Sequence, residues 1–124
     1  MLNIKEDIIS KINDDTLTEH RHDNLGLKSS WDQDCGKKIS ALANKNTNKT
    51  NWLCVGINDY GQIIGNNESW AKSTENNISQ HLNRYLDPYQ TFKTVTCHVL
   101  NSKWFIIIEF KNPGAVVDWN QKAF

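Results

Sequence analysis

The chain has 124 residues, 38% of them hydrophobic and 23% charged, which is the composition of one globular domain and too little chain for two cores. Basic and acidic side chains each total 14, so the formal net charge is zero. This balance argues against tight nucleic-acid binding, because phosphate affinity depends largely on excess basic charge, but it leaves room for a local basic face. No apolar run approaches the length of a membrane span, and the acidic residues near the start argue against a signal peptide.

The three cysteines and the histidine pair give no pattern typical of a metal site. Cys35, Cys54 and Cys97 are odd in number, far apart and without a CxxC pair. This usage predicts reduced thiols in a cytoplasmic protein, and no zinc ligands. His20 and His22 flank Arg21, whose positive charge disfavours a metal, so we expect a solvated loop there.

The first elements in chain order are a helix, a polar loop and a strand. Isoleucines at helical spacing predict a first helix of about three turns, apolar on one side, and they are Ile4, Ile8, Ile9 and Ile12. Thr16 to Asn24 is polar and is predicted to be a loop, so residues 1–24 form an N-terminal helix and loop. Leu25–Ser30 alternates as a half-buried strand does, although Gly26 weakens that pattern.

A second helix is predicted after Trp31, with Ser30 or Asp32 as its N-cap. Its inner face is marked by four residues, Cys35, Ile39, Leu42 and Ala43. Its outer side carries most of the nearby lysines, and the polar loop that follows carries two of them. These basic residues are Lys37, Lys38, Lys45 and Lys49.

The stretch Asn51–Gly65 has the pattern of a hairpin. Trp52 to Ile57 is an apolar run of strand length, Asn58-Asp59-Tyr60-Gly61 supplies turn residues, and Gln62-Ile63-Ile64 begins a second run. We therefore predict two antiparallel strands with Asp59 at the tip and a positive φ at Gly61. The polar triplet Gly65-Asn66-Asn67 should then break the pattern.

The next segment predicts a helix followed by two long strands. Apolar spacing indicates a third helix from about Ser73 to Leu86, which Asp87-Pro88 ends because the residue before proline avoids helical dihedrals. Thr91–Leu100 and Lys103–Lys111 are predicted strands joined by a two-residue loop, Asn101-Ser102. The second strand is apolar on both faces and should be central.

The tail predicts a short final hairpin. Val116 to Trp119 reads as a strand, Asn120-Gln121 as its turn, and Lys122-Ala123-Phe124 as a returning strand that is cut short. Such an edge would be satisfied by further chain, or by a second copy in a homodimer, and the alternative is a frayed terminus. The whole order predicts a single α+β domain with a mixed, mostly antiparallel sheet and packed helices. The most buried residues should include Leu42, Leu53, Val55, Ile57, Ile106 and Ile108.

Leu53 to Gly65, with sequence LCVGINDYGQIIG, and the helix end Ile39 to Asn44 together form a distinctive pair of motifs. They resemble the strand–turn–strand signature and the helix end of the Schlafen-type, AlbA-like (AlbA_2) DNA-binding domain, and the resemblance covers the segment 25–124. Leu25–Ser30, Ile78–Pro88 and the tail segments resemble its remaining pieces in order. The resemblance implies nucleic-acid binding, regulation or RNA cleavage, with this chain as the N-terminal module of a larger regulator, helicase-like or defence protein.

The resemblance is incomplete where nuclease members carry acids that can hold Mg²⁺ or Mn²⁺. Gly26 stands two before Lys28 where an acid is expected, and Arg21 stands at the other acidic position. Only Asp59 matches. We therefore expect a binding domain without catalytic residues or cofactor. The alternative is a metal-dependent endoribonuclease with a rearranged acidic set, namely Asp23, Asp59 and Glu109.

Five lysines are the predicted nucleic-acid contacts, and they are Lys28, Lys37, Lys38, Lys45 and Lys49. On a neutral protein they would give weak, sequence-tolerant binding to phosphates of DNA or RNA. A solvated lysine face is an equally good interpretation. Trp31 and Trp52 could stack on bases, but core packing is the better interpretation for both. A protein-interaction or dimerisation module is the third class that the sequence leaves open.

Overall fold

The computed structural model describes residues 2–64 and 67–124. The predicted break at Gly65-Asn66 therefore lies outside the described residues. The helices and strands follow in chain order: α1 Lys5–Asn13, β1 Leu25–Lys28, α2 Gln33–Lys45, β2 Thr50–Val55, α3 Glu68–Tyr85, β3 Leu86–Asp87, β4 Phe92–Leu100, β5 Lys103–Lys111, β6 Asp118–Trp119 and β7 Lys122–Ala123. Short 3₁₀ turns occupy Glu19–Arg21, inside the predicted loop, and Tyr89–Thr91.

The main sheet has the strand order β1-β2-β5-β4, with β1 parallel to β2 and the other pairs antiparallel. A small second sheet has the order β3-β6-β7. The predicted α+β fold with a mixed sheet is therefore confirmed. β5 is central, as predicted, and its apolar residues alternate between the two faces of the sheet.

Two hydrophobic clusters cover the two faces of the main sheet. Ile106 and Ile108 face the cluster that α2 and α3 cover. Phe105 and Ile107 face the cluster that Leu2, α1 and the following loop cover. The N-terminal segment thus packs on the same sheet as the rest of the chain. All six residues predicted to be most buried are buried: Leu42, Leu53, Val55, Ile57, Ile106 and Ile108.

The second strand of the hairpin predicted in Asn51–Gly65 does not form in the described residues. β2 forms, but in the run after the turn, which is described as far as Ile64, the pairing is a single bridge between Ile57 and Ile63. Gly56, at φ 94°, turns the chain out of the sheet directly after β2. The backbone N–H groups of Gly56 and Ile57 then donate to the carbonyl of Lys28, at 2.7 and 3.2 Å. The antiparallel partner of β2 is therefore β5, from the other end of the chain.

Two further boundaries differ from the sequence predictions. α3 begins at Glu68 rather than Ser73, because the Asn67 side chain caps the helix by accepting the backbone N–H of Trp70 at 2.8 Å. The apolar periodicity missed these mostly polar first turns. In the tail, only Asp118–Trp119 of the predicted strand is extended. β1 is also more buried than the predicted half-buried strand.

The side chains of α2 fix the C-terminal hairpin onto the domain. Asn44 donates from Nδ2 to the carbonyls of Val117 and Phe124, at 2.8 and 3.1 Å, and its Oδ1 accepts the N–H of Val117 at 2.8 Å. Ser40 Oγ donates to the carbonyl of Val117 at 2.8 Å and accepts the N–H of Phe124 at 3.0 Å. The short strands β6 and β7 are therefore anchored by α2 as well as by each other.

Candidate functional site

A cleft of about 700 Å³ lies beside β1, the edge strand of the main sheet. One wall is the 3₁₀ turn before β1, another is α2, and the turn after β2 contributes Asp59. The lining residues are Glu19, His20, Arg21, His22, Asp23, Leu25, Lys38, Leu42, Lys45 and Asp59. We call this site the edge cleft. It is mostly polar, and its three basic side chains are formally balanced by three carboxylates.

Helical geometry decides which of the predicted lysines reach the edge cleft. Lys38, Leu42 and Lys45 are spaced i, i+4 and i+7 along α2 and so share one helix face. Lys37 is one residue away, about 100° around the helix. Its Nζ lies 3.7 Å from Asp34 Oδ1 and 5.9 Å from the centre of the Phe124 ring. Lys37 therefore faces the C-terminal hairpin.

The remaining predicted lysines lie at the margins of the edge cleft. Lys49 Nζ donates to Asp23 Oδ2 at 2.5 Å, and this hydrogen bond lowers the pKa of Asp23 below its ordinary value. Lys28 is half-buried at the C-terminal end of β1 and is not a lining residue. The structure thus gathers Lys38 and Lys45 in the edge cleft, places Lys49 beside it through Asp23, and leaves Lys28 and Lys37 outside.

Glu19 lines the edge cleft, although it was not a candidate from the sequence, because its spacing differs from that of the family's acidic residues. Its Oε1 accepts from Lys38 Nζ at 2.6 Å, and its Oε2 accepts the backbone N–H of Leu27 at 2.9 Å. A Cβ placed on Gly26 would lie 3.2 Å from carbons of the Lys38 side chain. The nearest atom to that Cβ would be Leu53 Cδ1, at 2.7 Å, so a side chain at position 26, which lacks the expected acid, would meet both Leu53 and the lysine that Glu19 binds. The 3₁₀ turn brings Glu19 back to β1, which sequence spacing alone could not reveal.

The three carboxylates of the alternative acidic set are not brought together. Asp23 and Asp59 both line the edge cleft. Glu109 lies on β5, two strands away from β1, where it accepts from Thr94 Oγ1 at 3.2 Å. Neighbouring strands are about 4.8 Å apart, so roughly 10 Å of sheet separates Glu109 from the edge. In the ranges 2–64 and 67–124, no group of three or more His, Cys, Asp or Glu side chains is placed to hold a metal ion.

Arg21 and Lys45 are the cations of the edge cleft that are not held by a carboxylate. Both are exposed. Within the described ranges, the salt bridges join Lys37 to Asp34, Lys38 to Glu19 and Lys49 to Asp23, and neither Arg21 nor Lys45 makes one. These two side chains can therefore meet an incoming anion without first losing an internal partner.

His22 adds a partly buried imidazole to the same wall. Burial lowers its pKa, with a further contribution from the nearby Lys11 charge, so the ring is neutral at pH 7. Its Nδ1 is shielded from solvent and has no hydrogen-bond partner among the residues that the structure describes. His20 is exposed beside it.

The two candidate stacking tryptophans are engaged within the protein. Trp52 is 1% exposed and its Nε1 donates to the carbonyl of Leu2 at 3.2 Å. Trp31 is half-buried, donates to His81 Nδ1 at 2.7 Å and packs edge-on against Trp119. Core packing, the favoured interpretation, is confirmed for Trp52. Trp31 is committed to an aromatic cluster outside the edge cleft.

The three cysteines are free, and Cys35 and Cys54 are buried whereas Cys97 is partly buried. Burial is the main reason that the pKa of Cys35 rises to about 11 and those of Cys54 and Cys97 to about 12. They are protonated at neutral pH and are poor nucleophiles, because the thiolate is the reactive form.

The sequence profile described as Schlafen, AlbA_2 matches residues 5–122. This match covers nearly the whole chain. The chain belongs to the Schlafen AlbA_2 family. The family resemblance inferred from residues 25–124 is thus confirmed, and the matched span also takes in α1, so the predicted division at residue 24 remains a prediction. Membership in this family suggests a nucleic-acid-related domain.

No curated protein matches the chain significantly, and no solved structure does so either. Among the described helices, none is both long and apolar enough to cross a membrane.

Proposed function

We propose that this Schlafen AlbA_2 domain binds DNA or RNA weakly and with little sequence preference, through phosphate contacts in the edge cleft. The observation that carries the proposal is the placement of two exposed cations without carboxylate partners, Arg21 and Lys45, in one concave site of a nucleic-acid-related domain. Guanidinium and ammonium groups donate to phosphate oxygens, and such contacts fix a strand without reading its bases.

Internal ion pairs explain why the binding should be weak. Lys38 and Lys49 are held by Glu19 and Asp23, so a phosphate must compete with a carboxylate that is already in place. The protein as a whole has no net charge to attract a polyanion. Lys38 and Lys49 then act as second contacts for a strand seated on Arg21 and Lys45. Lys28 and Lys37 would meet only a strand that extends beyond the edge cleft.

The test is a fluorescence-anisotropy titration against single- and double-stranded DNA and RNA over a range of salt concentrations. The double variant Arg21→Glu/Lys45→Glu should weaken binding to all sequences about equally. It should also reduce the slope of log affinity against log salt by about 1.5, since each lost phosphate contact removes roughly 0.7 to 0.9. The matched control is Lys72→Glu/Lys93→Glu, which makes the same charge change at exposed positions on α3 and β4.

A second pair of variants separates the two faces of α2. Lys38→Glu should weaken binding more than Lys37→Glu, because only Lys38 lines the edge cleft. No detectable binding at low salt, or equal losses in the charge-matched variants, would contradict the proposed function.

Metal-dependent RNA cleavage is the second candidate, because Asp23 and Asp59 of the alternative acidic set line the edge cleft together with Glu19, although no three such side chains in the described ranges are placed to hold a metal ion. Two of these carboxylates already bind lysines, which disfavours a divalent cation beside them. We therefore expect no cleavage of RNA with Mg²⁺ or Mn²⁺. Cleavage that disappears in Asp59→Ala would promote this candidate.

A homodimer or protein-interaction role is the third candidate, and an exposed apolar pair near the edge strand β7 favours it. Val116 is 67% exposed and Phe124 is 43% exposed. Light scattering of the chain tests self-association directly.

We further propose that the domain acts in the cytoplasm, because its free cysteines suit a reducing compartment. The family resemblance supports the proposal that it is the N-terminal part of a larger regulatory, helicase-like or defence protein.

A further inference from the structure

We propose that Tyr60 is a stacking platform for an unpaired base and that the edge cleft therefore takes single-stranded nucleic acid. This inference rests on the proposed function, because it names the substrate class of the same site. From the sequence Tyr60 was only a turn residue, and Trp31 and Trp52 were the aromatic residues considered for stacking, with core packing as the better interpretation for both.

Tyr60 exposes its ring to an unusual degree for this protein. It is 77% exposed, more than any other large hydrophobic side chain in residues 2–64 and 67–124. Tyr85 packs against Trp119 and Tyr89 packs against Phe92, with ring centres 5.5 Å apart in each pair. No aromatic or cationic partner contacts the Tyr60 ring among the described residues. Most of the Tyr60 side chain is thus open to solvent and available for stacking.

The backbone that presents this ring is fixed by its neighbours. Asn58 Oδ1 accepts the N–H groups of Tyr60 and Gln62, at 2.9 and 3.0 Å. The Gly61 N–H donates to the carbonyl of Asn58 at 3.0 Å. Gly61 also packs so closely on the Leu17 carbonyl that a Cβ there would lie 1.9 Å from its oxygen. A base that stacks on Tyr60 therefore meets a turn that is already ordered, which reduces the entropy cost of binding.

The position of Tyr60 connects it to the phosphate contacts. Tyr60 is not itself a lining residue, but it directly follows Asp59, which is one, and the two Cα atoms are about 3.8 Å apart. A strand whose phosphates lie on Arg21 and Lys45 can leave the edge cleft past this ring. Bases of a single strand are free to stack on an aromatic side chain, whereas those of a duplex are already stacked on each other. Because the Asp59 carboxylate repels phosphate, a base of the nucleic acid suits this end of the site better than its backbone does.

The experiment compares Tyr60→Ala, Tyr60→Phe and Tyr89→Ala in anisotropy titrations with short oligo(dT) and oligo(U), with the matching duplexes, and with an abasic oligonucleotide of the same length. Tyr60→Ala should lower the affinity for the single strands about tenfold, the loss expected when one base loses its stacking partner. Its affinity for duplexes and for the abasic strand should change less than about twofold. Tyr60→Phe should bind like the native chain, because stacking needs the ring and not the hydroxyl.

Tyr89→Ala is the matched control, since Tyr89 is an exposed tyrosine that is neither a lining residue of the edge cleft nor next to one in the chain. A loss in Tyr60→Ala that is equal on single strands, duplexes and abasic strands would overturn the inference, as would a Tyr60→Phe variant that is as weak as Tyr60→Ala. If the native chain binds with salt dependence and Arg21→Glu/Lys45→Glu weakens it, but Tyr60→Ala does not, only the stacking inference fails. If the native chain binds no nucleic acid, both the stacking inference and the proposed function fail.

Discussion

Gly61 is the residue on which the geometry of the turn beside the edge cleft depends. It has φ 81°, which L side chains rarely adopt, and it also lies against the carbonyl of Leu17. Gly114 has a similar φ of 92°, but a Cβ there would meet nothing within 4 Å. A comparison of alanine substitutions at the two glycines therefore separates the free-energy cost of a positive φ from that of a close contact.

We expect Gly61→Ala to lower the free energy of unfolding by about 3 kcal/mol or more, and Gly114→Ala by only about 1 kcal/mol, which is the usual cost of a positive φ. Urea denaturation of the two variants measures the difference. Equal losses would mean that the contact with Leu17 relaxes without cost.

Glu19 and Asp59 show which residues of the edge cleft the sequence can identify and which it cannot. A local turn motif placed Asp59 at the tip of a turn, and the family resemblance made it a candidate acid. Glu19 was not a candidate, because its partners Lys38 and Leu27 come from elements that approach it only in the folded chain. The two lysines that α2 places in the edge cleft were therefore predictable as contacts, whereas Glu19 and Arg21 reach it on a 3₁₀ turn that only the folded chain brings beside β1.

At the scale of elements, two hairpin loops have the same backbone conformation. Asn101-Ser102 joins β4 to β5 and Asn120-Gln121 joins β6 to β7, and all four residues have positive φ, between 52° and 69°. This is the pattern of type I′ hairpin turns, which prefer Asn-Gly because the second residue has no Cβ to strain. Both loops were recognised from the sequence, but their second residues are not the ones that the turn favours.

We expect Ser102→Gly and Gln121→Gly each to raise the free energy of unfolding by about 0.5–1 kcal/mol, since glycine removes the strain of a positive φ. Thermal and urea unfolding measure the change. The matched control is Ser73→Gly on the exposed side of α3, which should instead lose about 0.5 kcal/mol through lower helix propensity. A destabilising Ser102→Gly would show that Ser102 is not strained.

The whole molecule depends on α2, which carries one wall of the edge cleft on one face and holds the C-terminal hairpin on another. Lys38 and Lys45 lie on the first face. Ser40 and Asn44 lie on the second, where they bond to Val117 and Phe124. The helix end at Asn44, which resembles that of the family, therefore has a structural role in this chain, because the Asn44 amide supplies hydrogen-bond partners to backbone groups of the C-terminal hairpin.

We expect Asn44→Ala to lower the free energy of unfolding by about 2 kcal/mol, because it leaves backbone groups of the C-terminal hairpin without partners. Hydrogen exchange should rise first in β6 and β7. The control is Asn48→Ala, an exposed position in the loop after α2, which should stay within about 0.5 kcal/mol of the native chain. If the two variants lose the same stability, the amide of Asn44 does not anchor the hairpin.

The sequence by itself determined the elements that local forces specify. Helical spacing located α1 and α2, and Asp32, one of the two predicted N-cap candidates, caps α2. The proline at position 88 predicted an end for α3 that is close to the observed one. Two-residue turn signals located the β4–β5 pair and the final hairpin, and a run that is apolar on both faces marked β5 as central. These signals work because each depends on residues within a few positions of one another, so no knowledge of the fold is needed.

Only the tertiary structure decided which elements meet. It paired β2 with β5 instead of with the run after its own turn, since Gly56 turns the chain away and the Lys28 carbonyl takes the freed N–H groups. It also divided the predicted lysine face, because two neighbouring residues of α2, Lys37 and Lys38, point about 100° apart toward different partners. Strand pairing, ion pairs and the edge cleft join residues far apart in the chain, and their energies depend on distances in space that no local pattern encodes.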